Sequence, residues 1–274
     1  DFCLSRGLGD VYKRQAMSIG LAESIIEKGH IDPQALGERF RNNFRREPWR
    51  GYGPGPPFLF SIVERRGMSY LEAAKSLFEG KGSLGNGAAM RVSPVGFTFH
   101  NSHDLYEKAS LSASVTHAHP VGIDGAALQA KAVSLAINLD PGEPFPDSEF
   151  ITQLVDFART PEMKERMSQV QKLIATDISP EKASERLGRS VEVQNSLPFA
   201  LYSFLHCPKS FEDCLFCAIL NGGDRDTLGA MACAVSGAYL GIESMPQGWR
   251  AKLENRSYIE SLAKSLKEIS EQTP

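Results

Sequence analysis

The sequence has 274 residues, of which 42% are hydrophobic and 23% are charged, and its formal net charge at pH 7 is -3. These values are typical of a globular chain that buries a substantial core, and they give no electrostatic argument for binding to nucleic acid or to an anionic membrane surface. The five cysteines are odd in number and mostly lie in apolar surroundings, which predicts reduced thiols and a cytoplasmic protein. No apolar run approaches the length that crosses a membrane.

The first fifteen residues differ from the rest of the chain. Residues 1–15 show neither a helical nor an alternating pattern of apolar side chains, so we predict that they are a non-native or misjoined leader. From Ala16 onward, apolar residues such as Leu21 and Ile25 recur at helical spacing up to Gly29. The first helix is therefore expected to begin at Ala16, and the domain to cover residues 16–274.

Helical periodicity recurs along most of the remaining chain, and almost no stretch alternates as a half-buried strand would. Helix-start signals support several of these segments, such as Asp32 before Pro33, and Ser69 with Glu72 three residues later. We predict an all-α protein, folded as a single compact domain of orthogonally packed helices. The expected helices cover residues 33–48, 58–64, 69–78, 105–118, 121–139, 150–157, 162–174, 179–187, 199–207 and 211–220, a helix from Thr227 onward, and residues 258–269.

A glycine-rich segment, residues 80–87, carries four glycines in eight positions. Backbone amides left uncovered in such a loop make an anion-binding nest that suits a pyrophosphate. The segment matches neither the P-loop nor the dinucleotide-binding fingerprint, and the pattern alone is equally compatible with a flexible loop.

Two further clusters have a chemical and a purely structural interpretation. His117 and His119, just before Pro120, could be metal ligands, but are more typical of hydrogen-bonding residues in a turn. Cys214 and Cys217 match the C-x-x-C spacing, but they have no second pair and lie among apolar residues, which favours inert core thiols.

Residues 221–227 (NGGDRDT) place Asp224, Asp226 and Thr227 close together, directly before a segment of small and apolar residues at helical spacing. Carboxylate and hydroxyl oxygens are the ligands that Mg²⁺ prefers, so these three residues form a possible ion site at a helix start. Aspartate is also a preferred N-cap, so the same pattern is compatible with an ordinary helix start.

Three segments, read together, resemble the ADP-ribosylglycohydrolase family in order and spacing: residues 80–91 (GKGSLGNGAAMR), 116–118 (THA) and 222–227 (GGDRDT). The form of the first segment is most similar to the ADP-ribosyl-serine hydrolase branch. The resemblance runs from about Ala16 to Leu262 and implies an all-α fold of the ADP-ribosylglycohydrolase type. It also implies a Mg²⁺-dependent glycosidic bond hydrolase that cleaves an ADP-ribosyl bond in an ADP-ribosylated protein, poly-ADP-ribose or O-acetyl-ADP-ribose.

The resemblance also implies roles for individual residues. Two Mg²⁺ ions hold the ribose and activate water in the family, and the ligand positions that match here are Asp224, Asp226 and Thr227. Phe78 matches an aromatic residue that stacks on adenine, and Leu84 stands where the serine-type branch often has tyrosine. The positions that match substrate-binding residues are Phe78, Gly82, Ser83, Leu84, Gly85, Asn86 and His117.

The sequence departs from the family just before Ala16. Family members carry Thr-Asp-Asp-Thr there, preceded by a helix and loop that contribute a catalytic glutamate, whereas this chain has Tyr12, Lys13, Arg14 and Gln15. Because two cations replace two carboxylates, they should repel Mg²⁺, and we expect at most one weakly held ion. The resemblance therefore leaves the catalytic residue unassigned, and it predicts an N-terminally incomplete domain with little hydrolase activity.

The alternative is a non-catalytic ADP-ribose-binding protein, or a structural protein, derived from the same fold. Under either interpretation the expected partner is ADP-ribose or an ADP-ribosylated substrate. We expect a monomer that binds neither nucleic acid nor a membrane.

Overall fold

The computed structural model describes the backbone of residues 2–176 and 178–272, and the side chains of residues 12–176 and 178–272. Within these ranges the chain forms fifteen α-helices and no β-strand, which confirms the predicted all-α fold. The helices are α1 (Phe2–Lys28), α2 (Pro33–Arg46), α3 (Gly55–Arg66), α4 (Tyr70–Ser76), α5 (Ser93–Thr98), α6 (Leu105–Ser114), α7 (Pro120–Ile137), α8 (Asp147–Phe157), α9 (Pro161–Ala175), α10 (Pro180–Leu187), α11 (Leu197–His206), α12 (Phe211–Leu220), α13 (Arg225–Leu240), α14 (Gln247–Lys252) and α15 (Arg256–Gln272).

The predicted start of the first helix is wrong. Helix α1 runs without a break from Phe2 to Lys28, so the backbone of residues 2–15 is helical rather than irregular. Arg14 interrupts the apolar pattern before Ala16, and its buried side chain pairs with Asp224 and Asp226. The proposal that residues 1–15 are a foreign leader stays a prediction, and Asp1 lies outside the described residues.

The helices predicted after residue 32 are present, with ends within a few residues of those expected. Asp32 caps α2 by accepting hydrogen bonds from the amides of Gln34 and Ala35, and Ser69 forms the expected capping box with Glu72. Helices α5 and α14 have six residues each, too few for apolar periodicity to identify them.

The core is built around α7, α11 and α13. Almost every side chain of α11 is buried, and α7 buries residues around most of its circumference. Helix α13 packs against α7, α11 and α12, while α1 packs against α2, α13 and α15. The middle of α1 therefore meets the N-terminal end of α13. None of the described helices is both long and apolar enough to cross a membrane.

The glycine-rich segment lies directly on the start of α7. A Cβ atom on Gly122 of α7 would lie 2.5 Å from the carbonyl oxygen of Ser83, and one on Gly82 would lie 2.4 Å from the amide nitrogen of His119. Gly82 also has a φ of +75°, which favours glycine. These contacts require glycine on both surfaces, and they fix the position of the loop on the helix.

Replacing Gly122 with alanine tests this close packing. We expect Gly122→Ala to lower the free energy of unfolding by about 1–3 kcal/mol, because the added methyl group overlaps the Ser83 carbonyl. The control is Gly248→Ala in α14, where a Cβ meets no atom within 4 Å and the higher helix propensity of alanine should be neutral or stabilising. Equal stability of the two variants in urea denaturation would contradict the account.

Candidate functional site

A cavity of about 340 Å³ lies where α1, the glycine-rich segment and the N-terminal end of α13 meet. One wall comes from residues 52–56, which cover the end of the irregular loop before α3 and the first residues of that helix. The polar and aromatic residues that line it are Lys13, Arg14, Tyr52, Phe78, Ser83, Asn86, Arg91, Thr116, His117, Asp224 and Thr227.

The cavity brings together most of the positions that the family resemblance singled out. The predicted site residues on its wall are Phe78, Ser83, Gly85, Asn86, His117, Asp224 and Thr227. Gly82 lies instead against the backbone of Ala118 and His119, and Leu84 packs partly buried against the hydrophobic core. Asp226 is not on the cavity wall but belongs to the cluster of charged side chains described next.

Arg14 of α1 binds all three predicted metal ligands. Its Nη1 lies 2.6 Å from Oδ2 of Asp226, its Nη2 lies 3.2 Å from Oδ1 of Asp224, and its Nε donates to Oγ1 of Thr227 at 2.9 Å. Nη2 also donates to Thr227 Oγ1. Arg14 is 6% exposed, so this guanidinium is a buried cation at the junction of α1 and α13.

Asp224 occupies the N-cap position of α13, but its side chain caps no backbone amide of the helix. Its carboxylate accepts hydrogen bonds from Arg14 and from Nδ2 of Asn86, at 2.8 Å from the latter. The preceding Gly223 has a φ of +74°, and a Cβ there would lie 2.1 Å from the carbonyl oxygen of Arg189. The glycine turn thus holds the carboxylate toward Arg14 and Asn86, so capping does not account for Asp224.

The two carboxyl groups of the cluster have opposite pKa shifts. Burial raises the pKa of Asp224, but hydrogen bonds with Asp226 and Asn86 and the charge of Arg14 outweigh it, so the pKa is lowered. Burial and the neighbouring Asp224 raise the pKa of Asp226, against the attraction of Arg14. The negative charge of the pair is therefore held most firmly on Asp224.

The cluster does not fit the two Mg²⁺ ions that the family resemblance implies. Its donor set is two carboxylates and one hydroxyl, and all three already face the Arg14 guanidinium. In the described part of the chain, no three His, Cys, Asp or Glu side chains come together as a possible metal-binding group. Two adjacent divalent ions need several anionic ligands and would be repelled by a cation among them.

Four backbone amides of the glycine-rich segment donate to acceptors within the protein. The amide of Lys81 donates to the carbonyl oxygen of Phe78, and the amide of Gly82 donates to the carbonyl oxygen of Leu77. The amide of Asn86 donates to the carbonyl oxygen of Val191. The amide of Gly85 donates to Ser83 Oγ. The segment therefore shapes the cavity wall through its close packing, and these four amides are already satisfied within the protein.

His117 and Arg91 form the floor of the cavity. The completely buried Arg91 donates to Gly87 O, Ser112 O and Thr116 Oγ1, and Thr116 Oγ1 lies 2.7 Å from Nδ1 of His117. Burial lowers the pKa of Arg91 to about 9. Burial, with the charge of Arg91, lowers the pKa of His117 to about 3, so its imidazole is neutral at physiological pH.

The neighbouring His119 has a structural role. Its Nδ1 accepts a hydrogen bond from the amide of Val121 and caps α7. Cys214 and Cys217 are free and buried in α12, as expected of core thiols. Of the two histidines and two cysteines, His117 alone lines the cavity.

A larger cavity of about 670 Å³ lies on the other side of Arg14, between α1, α5, α7, α13 and α15. Its lining is mostly apolar, with residues such as Ala234, Phe97 and Leu266. It contains none of the predicted substrate-binding residues, so the smaller cavity is the candidate site.

Sequence reasoning missed two components of the site. It placed Lys13 and Arg14 where the family carries carboxylates, but did not predict that Arg14 would pair with Asp224 and Asp226. The signal was present, because two cations at a position facing two carboxylates are electrostatically complementary. It also did not predict that Tyr52 and its neighbours would form a cavity wall.

The lowered pKa of His117 predicts a pH dependence of stability. Between its ordinary pKa of 6.5 and the lowered value of about 3, the unfolded chain binds a proton at His117 that the folded chain does not. The corresponding stability is complete above pH 6.5 and is lost as the pH falls through this window, at up to about 1.4 kcal/mol per pH unit.

Unfolding free energies measured from pH 7 to pH 4.5 should therefore fall more steeply for the natural chain than for His117→Gln. The control is His30→Gln, at an exposed histidine outside the cavity. Parallel pH profiles of the natural chain and His117→Gln would show that His117 is not held neutral by the fold.

Comparison with known proteins agrees with this architecture. The ADP-ribosylglycohydrolase family model matches residues 2–274. ADP-ribosylhydrolase ARH3 from Mus musculus is 33% identical over an alignment that covers 94% of this chain and 77% of that protein. ARH3 from Homo sapiens is also 33% identical, and the alignment covers 93% of this chain and 77% of that protein. An uncharacterized protein from Archaeoglobus fulgidus is 35% identical, with 91% and 77% covered.

A solved structure described as an ADP-ribosylglycohydrolase-related protein complex shares the fold. It superposes with a TM-score of 0.75 at 23% sequence identity and covers 94% of this chain and 81% of that chain. The family match over nearly the entire chain, the two ARH3 relatives and the common fold lead to one conclusion. The chain belongs to the ADP-ribosylglycohydrolase family, whose members are glycosidic bond hydrolases.

Proposed function

We propose that the 340 Å³ cavity binds the ADP-ribosyl unit and that the chain acts on an ADP-ribosyl bond. The observation that carries the proposal is that the glycine-rich segment, His117 and Asp224 line one cavity although they lie far apart in sequence. The mouse and human relatives are named ADP-ribosylhydrolases, which agrees with this ligand.

The mouth of the cavity suits an adenine ring. Phe78 lines the cavity and is 62% exposed, and both Phe78 and Glu79 have a positive φ, near +52° and +59°. Two consecutive residues other than glycine in this conformation are strained, and strain of this kind tends to occur at binding sites. The turn presents an exposed aromatic face beside the cavity, where a base can stack.

The interior of the cavity suits the rest of the ligand. Lys13 lines it and brings a positive charge to the wall that a diphosphate would approach, while Arg14 on the same wall balances part of the carboxylate charge. The neutral imidazole of His117 can exchange hydrogen bonds with ribose hydroxyl groups without adding charge. Of the described residues on the cavity wall, Asp224 alone carries a carboxylate.

Cleavage of a glycosidic bond passes through an oxocarbenium-like state that a nearby carboxylate stabilises. Asp224 would lie beside the ribose, but its carboxylate is shared between Arg14 and Asn86. Because the cluster does not fit a pair of Mg²⁺ ions, we derive no step of cleavage through a metal. The residues of this chain account for ligand binding, and the catalytic acid stays unassigned.

The pairing of Asp224 with Arg14 favours a second candidate function. A carboxylate neutralised by a buried guanidinium stabilises a positively charged transition state less well than a carboxylate without that partner. A protein that binds ADP-ribose without rapid turnover would have this site. We propose for either function a cytoplasmic monomer whose partner is ADP-ribose or an ADP-ribosylated substrate.

Phe78 provides a direct test of ligand binding. We expect ADP-ribose to bind the natural chain in a calorimetric titration, and Phe78→Ala to weaken binding about tenfold or more, because stacking of a base on an aromatic ring contributes about 1–3 kcal/mol. The matched control is Phe58→Ala, since Phe58 is 61% exposed but does not line the cavity. Equal losses of affinity in both variants, or no binding by the natural chain, would contradict the proposal.

Turnover separates the two candidate functions. The natural chain is incubated with an ADP-ribosyl-serine peptide, O-acetyl-ADP-ribose or poly-ADP-ribose, and released ADP-ribose is quantified by chromatography. The pairing of Asp224 with Arg14 predicts slow release if the chain acts on the bond, and no release if it only binds ADP-ribose. Rapid release from any of these substrates would identify a hydrolase and contradict the non-catalytic alternative.

A further inference from the structure

We infer that Arg14 is the resident cation of this site, that it excludes a divalent metal from Asp224, Asp226 and Thr227, and that the cavity binds its diphosphate-containing ligand without a metal ion. The ligand part of this inference rests on the proposed function. The part that concerns the metal rests on the side chains of the cluster alone.

The donors of the Arg14 guanidinium occupy the oxygens that a metal ion would need. The guanidinium uses Nε, Nη1 and Nη2 to contact the hydroxyl of Thr227 and the carboxylates of Asp226 and Asp224. A planar guanidinium presents several donors in a fixed arrangement, so one side chain can satisfy three acceptors together. A metal ion could reach these oxygens only if the guanidinium left them.

Arg14 is also held in place by the contacts of the residues that follow it and by the packing of its helix. The next residue, Gln15, donates from Nε2 to the carbonyl oxygen of Glu254 at 2.8 Å, and Met17 is buried in the core at 5% exposure. The helix that carries Arg14 packs against both α13 and α15. Withdrawal of the guanidinium would leave two partly buried carboxylates without their cation, which is strongly unfavourable.

The charges of Arg14 and Lys13 also reduce the need for a divalent ion at this site. Arg14 neutralises one of the two carboxylate charges of the cluster, and Lys13 adds a positive charge on the cavity wall. The two cations and the two carboxylates therefore balance in charge, so a diphosphate that enters the cavity is not repelled by uncompensated carboxylates of the protein. A divalent ion would otherwise be needed to hold the ligand phosphates beside the protein carboxylates. Arg14 and Lys13 reduce that need.

The metal part is tested with Mn²⁺ alone as the probe, since its binding is measured directly by electron paramagnetic resonance. We expect the natural chain to bind no Mn²⁺ at 1:1 stoichiometry up to about 1 mM, a weak limit for a protein oxygen site. Arg14→Asp should bind one Mn²⁺ with a dissociation constant at least tenfold below that limit of about 1 mM, because the substitution removes the cation and adds a ligand. Asp224→Asn in the Arg14→Asp background should abolish that gain.

The metal test includes one control variant and one replacement variant. Arg166→Gln removes another partly buried arginine, which contacts backbone carbonyl oxygens near α10, and should gain no Mn²⁺ binding. If Arg14→Asp fails to fold by circular dichroism, Arg14→Gln replaces it, with a smaller gain expected. Stoichiometric Mn²⁺ binding by the natural chain that is lost in Asp224→Asn would overturn the inference. A folded Arg14 variant that gains no Mn²⁺ binding would also overturn it.

The ligand part is tested by titrating ADP-ribose into the natural chain with EDTA and, separately, with excess Mg²⁺. We expect affinities that agree within about twofold. An affinity at least tenfold higher with Mg²⁺ would overturn metal-free binding. Absence of binding in both conditions would overturn the proposed function and the ligand part together, while the Mn²⁺ titration would still decide the role of Arg14.

Discussion

The contact between Arg14 and the carboxylates at the start of α13 is the interaction on which the site depends. It joins the first helix to a helix more than 200 residues later. Because the guanidinium and carboxylates are largely buried, each requires the other, and removal of either leaves an uncompensated charge. The same contact forms the boundary between the candidate cavity and the larger one, since Arg14 lines both.

Around this ion cluster, the cavity is shaped by backbone contacts that side chains other than glycine would prevent. Gly122 lets the glycine-rich segment lie on α7, and Gly223 lets Asp224 lie against residue 189. Asn86 connects the two parts, because its side chain donates to Asp224 while its amide donates to Val191. The shape of the cavity and its charge are therefore set by the same small group of contacts.

Much of the fold could be predicted from the sequence, because a helix with an apolar face shows its periodicity locally. Helices such as α7 and α12, and the capping box of Ser69, were accessible in this way. The part of α1 that carries Arg14 could not be predicted in this way, since Arg14 is buried by ion pairs and apolar periodicity does not record ion pairs. In the candidate site, the family motifs led to Asp224, Asn86 and His117. The occupied amides of the glycine-rich segment could not be predicted, because the acceptor of the Asn86 amide, Val191, is remote in sequence.

The central claim is that a guanidinium, and no divalent metal, lies between Asp224, Asp226 and Thr227. Crystals of the natural chain soaked in MnCl₂ test it most directly, because anomalous scattering locates manganese independently of any assumed geometry. The account predicts no anomalous peak within coordination distance of these three residues, and an Arg14 guanidinium in contact with both carboxylates. A manganese peak bridging Asp224 and Asp226, with Arg14 displaced into solvent, would contradict it.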